Sequence, residues 1–180
     1  GGWTLSGIVT LSSGFTSTIS NAARFATLGH GNESPDLVPG FSNNPTSGTS
    51  AGYTLGSGNT ARVVDEGTPV GTPELYFDPC AFAPPPNRTI GNLGRNTVVM
   101  PGRAIVDLSL GKSVAISERT KVEFRFEGFN IFNRVNLSGP DRNMFTFSNN
   151  NGFAPSPTAG EITETTGTAR QIQLGLKLTF

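Results

Sequence analysis

Arg170-Gln171-Ile172-Gln173-Leu174-Gly175-Leu176-Lys177-Leu178-Thr179-Phe180 decides how this chain is read. Ile172, Leu174, Leu176, Leu178 and Phe180 alternate with Gln171, Gln173, Gly175, Lys177 and Thr179 without a break. Side chains with period two belong to a β-strand, here with one apolar and one polar face. The length matches the roughly 9–11 residues that a tilted strand needs to cross a bilayer. An apolar face of five large side chains ending on an aromatic residue suits a barrel strand against lipid better than the last strand of a soluble sheet.

Working outward, the same alternation places three more strands. Trp3, Leu5, Gly7, Val9 and Leu11 share one face of the first, with Thr4, Ser6 and Thr10 opposite and Ile8 as a misfit. In the second, Ala104, Val106, Leu108, Leu110, Val114 and Ile116 lie on one face, with Lys112 out of place among them. Its other face carries Asp107, Ser109, Gly111, Ser113 and Ala115. In the third, Val122, Phe124 and Phe126 oppose Lys121, Glu123, Arg125 and Glu127. So charged a face is costly in a dry core and natural on the wall of a water-filled lumen. The period slips over Gly128-Phe129-Asn130-Ile131-Phe132-Asn133, which a bulge or an interfacial aromatic girdle explains.

These readings predict an all-β fold, an antiparallel meander of about four transmembrane strands at 3–14, 103–116, 121–132 and 168–180. The segments between, about 15–102 and 133–167, are read as long outer loops without structure of their own. In a compact soluble domain such loops would count against the assignment. Outer-membrane barrels have short periplasmic turns and long extracellular loops by construction, and four strands put both long loops on the same side. At the short turn, opposed residues must share a face, so their numbers must sum to an even value. A two-residue loop pairing Ser117 with Thr120 fails that condition, so a three- or five-residue loop, or a bulge, is predicted.

Composition agrees. Charged residues make up 14%, with 13 basic and 13 acidic side chains, so no field calls for nucleic acid. The 23 Gly and 13 Pro favour turns and extended chain over helix. No stretch approaches 18 consecutive apolar residues, which excludes a transmembrane helix but not barrel strands. Gly1-Gly2-Trp3 opens inside a strand pattern with no initiator Met and no signal peptide, so the chain is expected to end a longer protein.

Several segments together resemble the C-terminal part of TonB-dependent outer-membrane receptors, of the Oar-like group abundant in Acidobacteria. They are Gly2-Trp3-Thr4-Leu5-Ser6-Gly7, Phe77-Asp78-Pro79-Cys80-Ala81-Phe82, Gly91-Asn92-Leu93-Gly94-Arg95-Asn96, Pro101-Gly102, Val106-Asp107-Leu108-Ser109-Leu110, 124–133 and 169–180. Residues 16–75 and 134–165 carry little of the resemblance. It implies the closing segment of a 22-stranded barrel around an N-terminal plug, powered through TonB, with an unidentified solute. It also implies contact with plug, remaining strands and outer-membrane lipid, and makes the end at Phe180 a handle for the barrel-assembly machinery. The TonB-contacting part and the plug would lie outside these residues.

Candidate chemistry is thin. His30, in Gly29-His30-Gly31, is the single histidine, so neither a metal cluster nor a Ser-His-Asp triad has material. Cys80 is the single cysteine, so no intrachain disulfide forms, and it is read as a loop thiol packed by prolines. The run 56–61 is faintly like a dinucleotide-binding loop but follows no strand and opens no helix. No catalytic residue, metal ligand or cofactor is therefore assigned. The assigned positions are the lipid-facing Ile172, Leu174, Leu176, Leu178 and Phe180 and the lumen charges Asp107, Glu123, Arg125 and Glu127. Glu123, Arg125 and Glu127 could serve acid–base chemistry, but a hydrated wall, in which Asp107, Lys121 and Arg125 join the carboxylates in ion pairs, is the adopted reading. The alternative from another class is a secreted or surface-attached adhesin whose long loops bind a partner.

Overall fold

The computed structural model describes residues 1–21, 33–55, 61–86, 89–148 and 152–180. In chain order the strands are β1 (Trp3–Ser12), β2 (Thr16–Ser17), β3 (Asp36–Leu37), β4 (Tyr53–Leu55), β5 (Arg62–Val64), β6 (Phe82–Ala83), β7 (Val98–Val99), β8 (Arg103–Ala115), β9 (Lys121–Phe129), β10 (Phe145–Ser148), β11 (Gly152–Pro155) and β12 (Gln171–Thr179). The fold is all-β and antiparallel throughout these strands. Two compact units divide the chain: residues 1–13, 102–137 and 165–180 form one, and 14–101 with 138–164 form the other.

The first unit is a four-stranded sheet in the order β1-β8-β9-β12, so each long strand lies beside its predecessor. The short turn obeys the parity condition. Ala115 opposes Lys121, which leaves a five-residue connection from Ile116 to Thr120. Ile116 N–H donates to Thr120 O at 2.8 Å, and Ser117 Oγ accepts from Thr120 N–H at 3.1 Å, which closes the turn. Ser12 opposes Arg103 and Gln171 opposes Phe129, so both long connections leave the other end of the sheet.

That other end is built by asparagines. Asn130 takes φ +48°, a left-handed conformation that Asn tolerates better than most residues. Ile131 N–H then donates to Val106 O, where the regular β8–β9 register would bring residue 130, so the ladder slips by one. This is the bulge at which the hydrophobic period breaks, and it ends β9 at Phe129. Asn130 is buried, and its amide donates to Arg134 O at 3.0 Å and Thr168 O at 3.1 Å while accepting from Arg134 N–H at 3.0 Å. Asn133 accepts from Arg170 N–H, and Asn136 from Ala104 N–H. Three asparagines spaced by three thus tie β8, β9 and the approach to β12.

Within this sheet unit only Gly128, Asn130 and Asn136 are buried. The hydrophobic core lies entirely in the second unit, among Ile19, Leu55, Leu75, Phe77, Phe82, Val98, Met100, Met144 and Phe145. Phe77 and Phe82 meet edge to face, centroids 5.7 Å apart. This corrects the expectation of loops without structure: they hold eight of the strands and share one core. Backbone bonds stitch the two loops together, with Met144 N–H to Ser20 O at 2.8 Å and Ile162 N–H to Pro73 O at 2.7 Å. The Arg62 guanidinium adds a bond to Ala159 O at 2.8 Å. Gly14 opens the unit where a Cβ would collide with the Met100 carbonyl, so β1 stops short of the predicted residue 14.

Asn130→Ala should cost about 3 kcal/mol, because it orphans buried backbone groups and strains a left-handed residue. Asn130→Gly should recover about 1 kcal/mol of that by relieving the backbone alone. Urea unfolding of the barrel from lipid vesicles reads both, and equal costs would remove the strain from the account.

Candidate functional site

The four long strands sort their side chains onto two faces, and the register fixes which meet. Leu5, Leu110, Phe126 and Leu174 form one continuous row across the sheet. The row nearer the short turn is Trp3, Lys112, Phe124 and Leu176. Ile172, Leu174, Leu176 and Leu178 therefore share their face with the apolar residues of β1, β8 and β9, and all four are exposed, as is Phe180. The misfit Lys112 is accommodated there by Trp3: its Nζ lies 4.6 Å from the ring centroid and donates to Gly1 O at 3.0 Å. The misfit Ile8 stands opposite Asp107 on the other face.

That other face is a shallow polar groove of about 580 Å³, lined by Thr4, Ser6, Ser109 and Ser113 with the charges of β9. Lys121 Nζ meets Glu123 Oε1 at 3.0 Å, and Arg125 Nη1 meets Glu127 Oε1 at 3.7 Å. Both pairs run along one strand, as residues two apart allow. Lys177 stands opposite Glu123 on the neighbouring strand. Arg125 is opposed by Gly111 on one side and Gly175 on the other, which leaves its side chain 69% exposed. An uncrowded guanidinium beside a single carboxylate can take a second anionic partner in bidentate fashion. Exposed ion pairs of this kind add little stability.

Asp107 departs from the ion-pair expectation. Its carboxylate accepts from Asn130 N–H at 2.8 Å, so it holds the turn after β9 instead of pairing with Lys121 or Arg125. The role was invisible in sequence because it depends on the left-handed turn of a residue on another strand.

Cys80 sits in a defined cluster in the second unit. Asp78 caps the short 3₁₀ turn Pro79–Ala81 by accepting from Cys80 N–H at 3.1 Å, and Ser50 Oγ donates to the same oxygen at 2.8 Å. The thiol donates to Gly52 O at 3.1 Å. Burial first, and the charge of Asp78 second, push the thiol above its ordinary pKa. A protonated, hydrogen-bonded thiol is a poor nucleophile, and the carboxylate beside it, Asp78, disfavours the thiolate. Among the described residues no three His, Cys, Asp or Glu side chains come together to hold a metal. His30 lies outside the described residues, as do 56–60 of the dinucleotide-like run.

A family model described as an outer membrane beta barrel domain matches residues 1–173. No curated protein and no solved structure matches the chain.

The raised thiol gives a pH signature. The folded state holds the Cys80 proton more tightly than the unfolded chain does, so its contribution to stability is intact below the ordinary thiol pKa. It fades as pH climbs through the folded value. Alkylation of Cys80 at pH 8 should accordingly run slower in the folded protein than after denaturation, with the gap closing as pH rises. Equal rates would show the thiol to be free.

Proposed function

The chain belongs to the outer membrane beta barrel domain family, its place is the bacterial outer membrane, and from that premise we propose that it forms four adjoining wall strands of a TonB-dependent receptor. The observation that carries the wall reading is the division of one meander into an apolar face with a single charge and an opposite face bearing two ion pairs. The apolar face meets lipid and the charged face meets the aqueous lumen. Both long connections leave the same end of the sheet, as extracellular loops do, and the five-residue turn then faces the periplasm.

The receptor identity rests on the resemblance of the segments quoted above, and it brings a plug, TonB coupling and an imported solute. Within it Glu123, Arg125 and Glu127 form hydrated wall charges available to the plug, with Arg125 the most open of them. The chain's own part is non-catalytic: it closes wall, carries the outer loops and presents Phe180 to the assembly machinery. A surface-binding role is favoured by one observation beside this, namely that the outer segments form a body with its own hydrophobic core.

Depth along the face sharpens the test. From Ala104 to Leu110 is about 20 Å of strand, or about 15 Å of depth at a tilt near 40°, which puts the Leu174 row near the middle of an apolar band of about 25 Å. Leu174→Arg should therefore cost about 2–4 kcal/mol in folding titrations into lipid vesicles. Its neighbour Gln173→Arg reaches water and should cost far less. Equal costs would reverse the assignment of the faces.

Phe180 offers a separate check. Deleting it should lower the amount of receptor reaching the outer membrane much more than it alters the unfolding of barrel already assembled. Unchanged surface levels in cells carrying the deletion would remove the assembly role.

A further inference from the structure

We propose that Trp3 and Lys112 form a seat for the phosphate of an anionic phospholipid headgroup in the periplasmic leaflet. The proposal rests on the face assignment above and extends it to a particular partner.

Lys112 is the one charged side chain on the apolar face of β1, β8, β9 and β12. Across the sheet it stands between Trp3 and Phe124. No carboxylate pairs with it among the described residues. An ammonium has three donors, and a single carbonyl, Gly1 O, takes one of them. The Trp3 ring face attracts the charge without consuming a donor. A cation so held, on a face otherwise apolar, lacks its anion.

Depth shows where that anion comes from. Ala104 to Lys112 spans about 26 Å of strand, or about 20 Å of depth at a tilt near 40°, so with Ala104 set at one edge of an apolar band of about 25 Å Lys112 lies about 5 Å inside the other. A lysine stem bridges that gap by snorkelling. Tryptophan marks the same level, since its amphipathic ring prefers the headgroup boundary. The edge in question is the one at the short turn, where the leaflet beyond the hydrocarbon offers phosphodiesters. Charge complementarity and depth thus select one occupant, a phospholipid with net negative charge.

The test uses the intact barrel containing this chain, folded into vesicles of phosphatidylcholine or of phosphatidylcholine mixed with phosphatidylglycerol. One lysine near an anionic surface should raise the wild-type folding equilibrium constant about fivefold in the mixed vesicles beyond whatever Lys112→Met gains there. Lys112→Arg should keep most of the wild-type gain. Equal gains for wild type and Lys112→Met overturn the seat. So does an equal gain from soluble glycerol phosphate added to pure phosphatidylcholine vesicles, which would mark a site for free phosphate. Should Lys112→Met not fold, phosphatidylglycerol retained by the detergent-extracted barrel in native mass spectrometry reads the same seat. Wild type should retain more than Trp3→Leu, and equal retention overturns the proposal. The Leu174 and Gln173 comparison tests the faces independently, so a costly Leu174→Arg with no headgroup selectivity rejects the seat alone.

Discussion

A peptide group inside hydrocarbon finds no water, so every N–H and C=O at that depth has to be paired by another strand. The rest of this structure follows from that constraint. It requires long strands in unbroken register, which β8 meets by pairing with β1 over Arg103–Lys112 on one side and with β9 over Leu108–Ala115 on the other. It forbids an irregular backbone until the chain has left the hydrocarbon. The sheet order β1-β8-β9-β12 leaves the outer edges of β1 and β12 without a strand partner among the described residues.

Where the ladder ends, its hydrogen bonds must be handed to something else. The asparagines at 130, 133 and 136 do this with side-chain amides, which both donate and accept and so can stand in for missing backbone partners. Asp107 takes part by holding the Asn130 N–H. Asp107, expected to join the ion pairs of the polar face, therefore holds a turn instead, while Glu123 pairs with Lys121 and Glu127 with Arg125.

Two solutions to burial coexist in one chain. The sheet unit buries almost no side chain within itself and leaves its apolar face exposed. The second unit, 14–101 with 138–164, instead buries phenylalanines, leucines and methionines against one another. Hydrophobic burial of this sort is non-directional, so it tolerates short strands and irregular turns that the spanning sheet excludes. Cys80 and Asp78 belong to that second regime, where a buried thiol and a capping carboxylate hold a local turn.

Period-two alternation over 171–180 and 103–116 was sufficient to identify the long strands, and the parity of opposed residues excluded a two-residue hairpin between β8 and β9, where the register leaves five. These were legible because a strand's side-chain direction is set by local backbone geometry, and a membrane enforces it over many residues. The core formed by 14–101 and 138–164 was not legible: its strands are two to four residues long, too short for a period, and its contacts join residues far apart in sequence. Nor could sequence show that Lys112 meets Trp3, since the register of β1 against β8 is set across a long connection. The sequence by itself determined which residues share a face within each strand. Only the tertiary structure decided which faces meet, which charges pair and which carboxylate becomes a cap, because those depend on register and loop closure between distant segments.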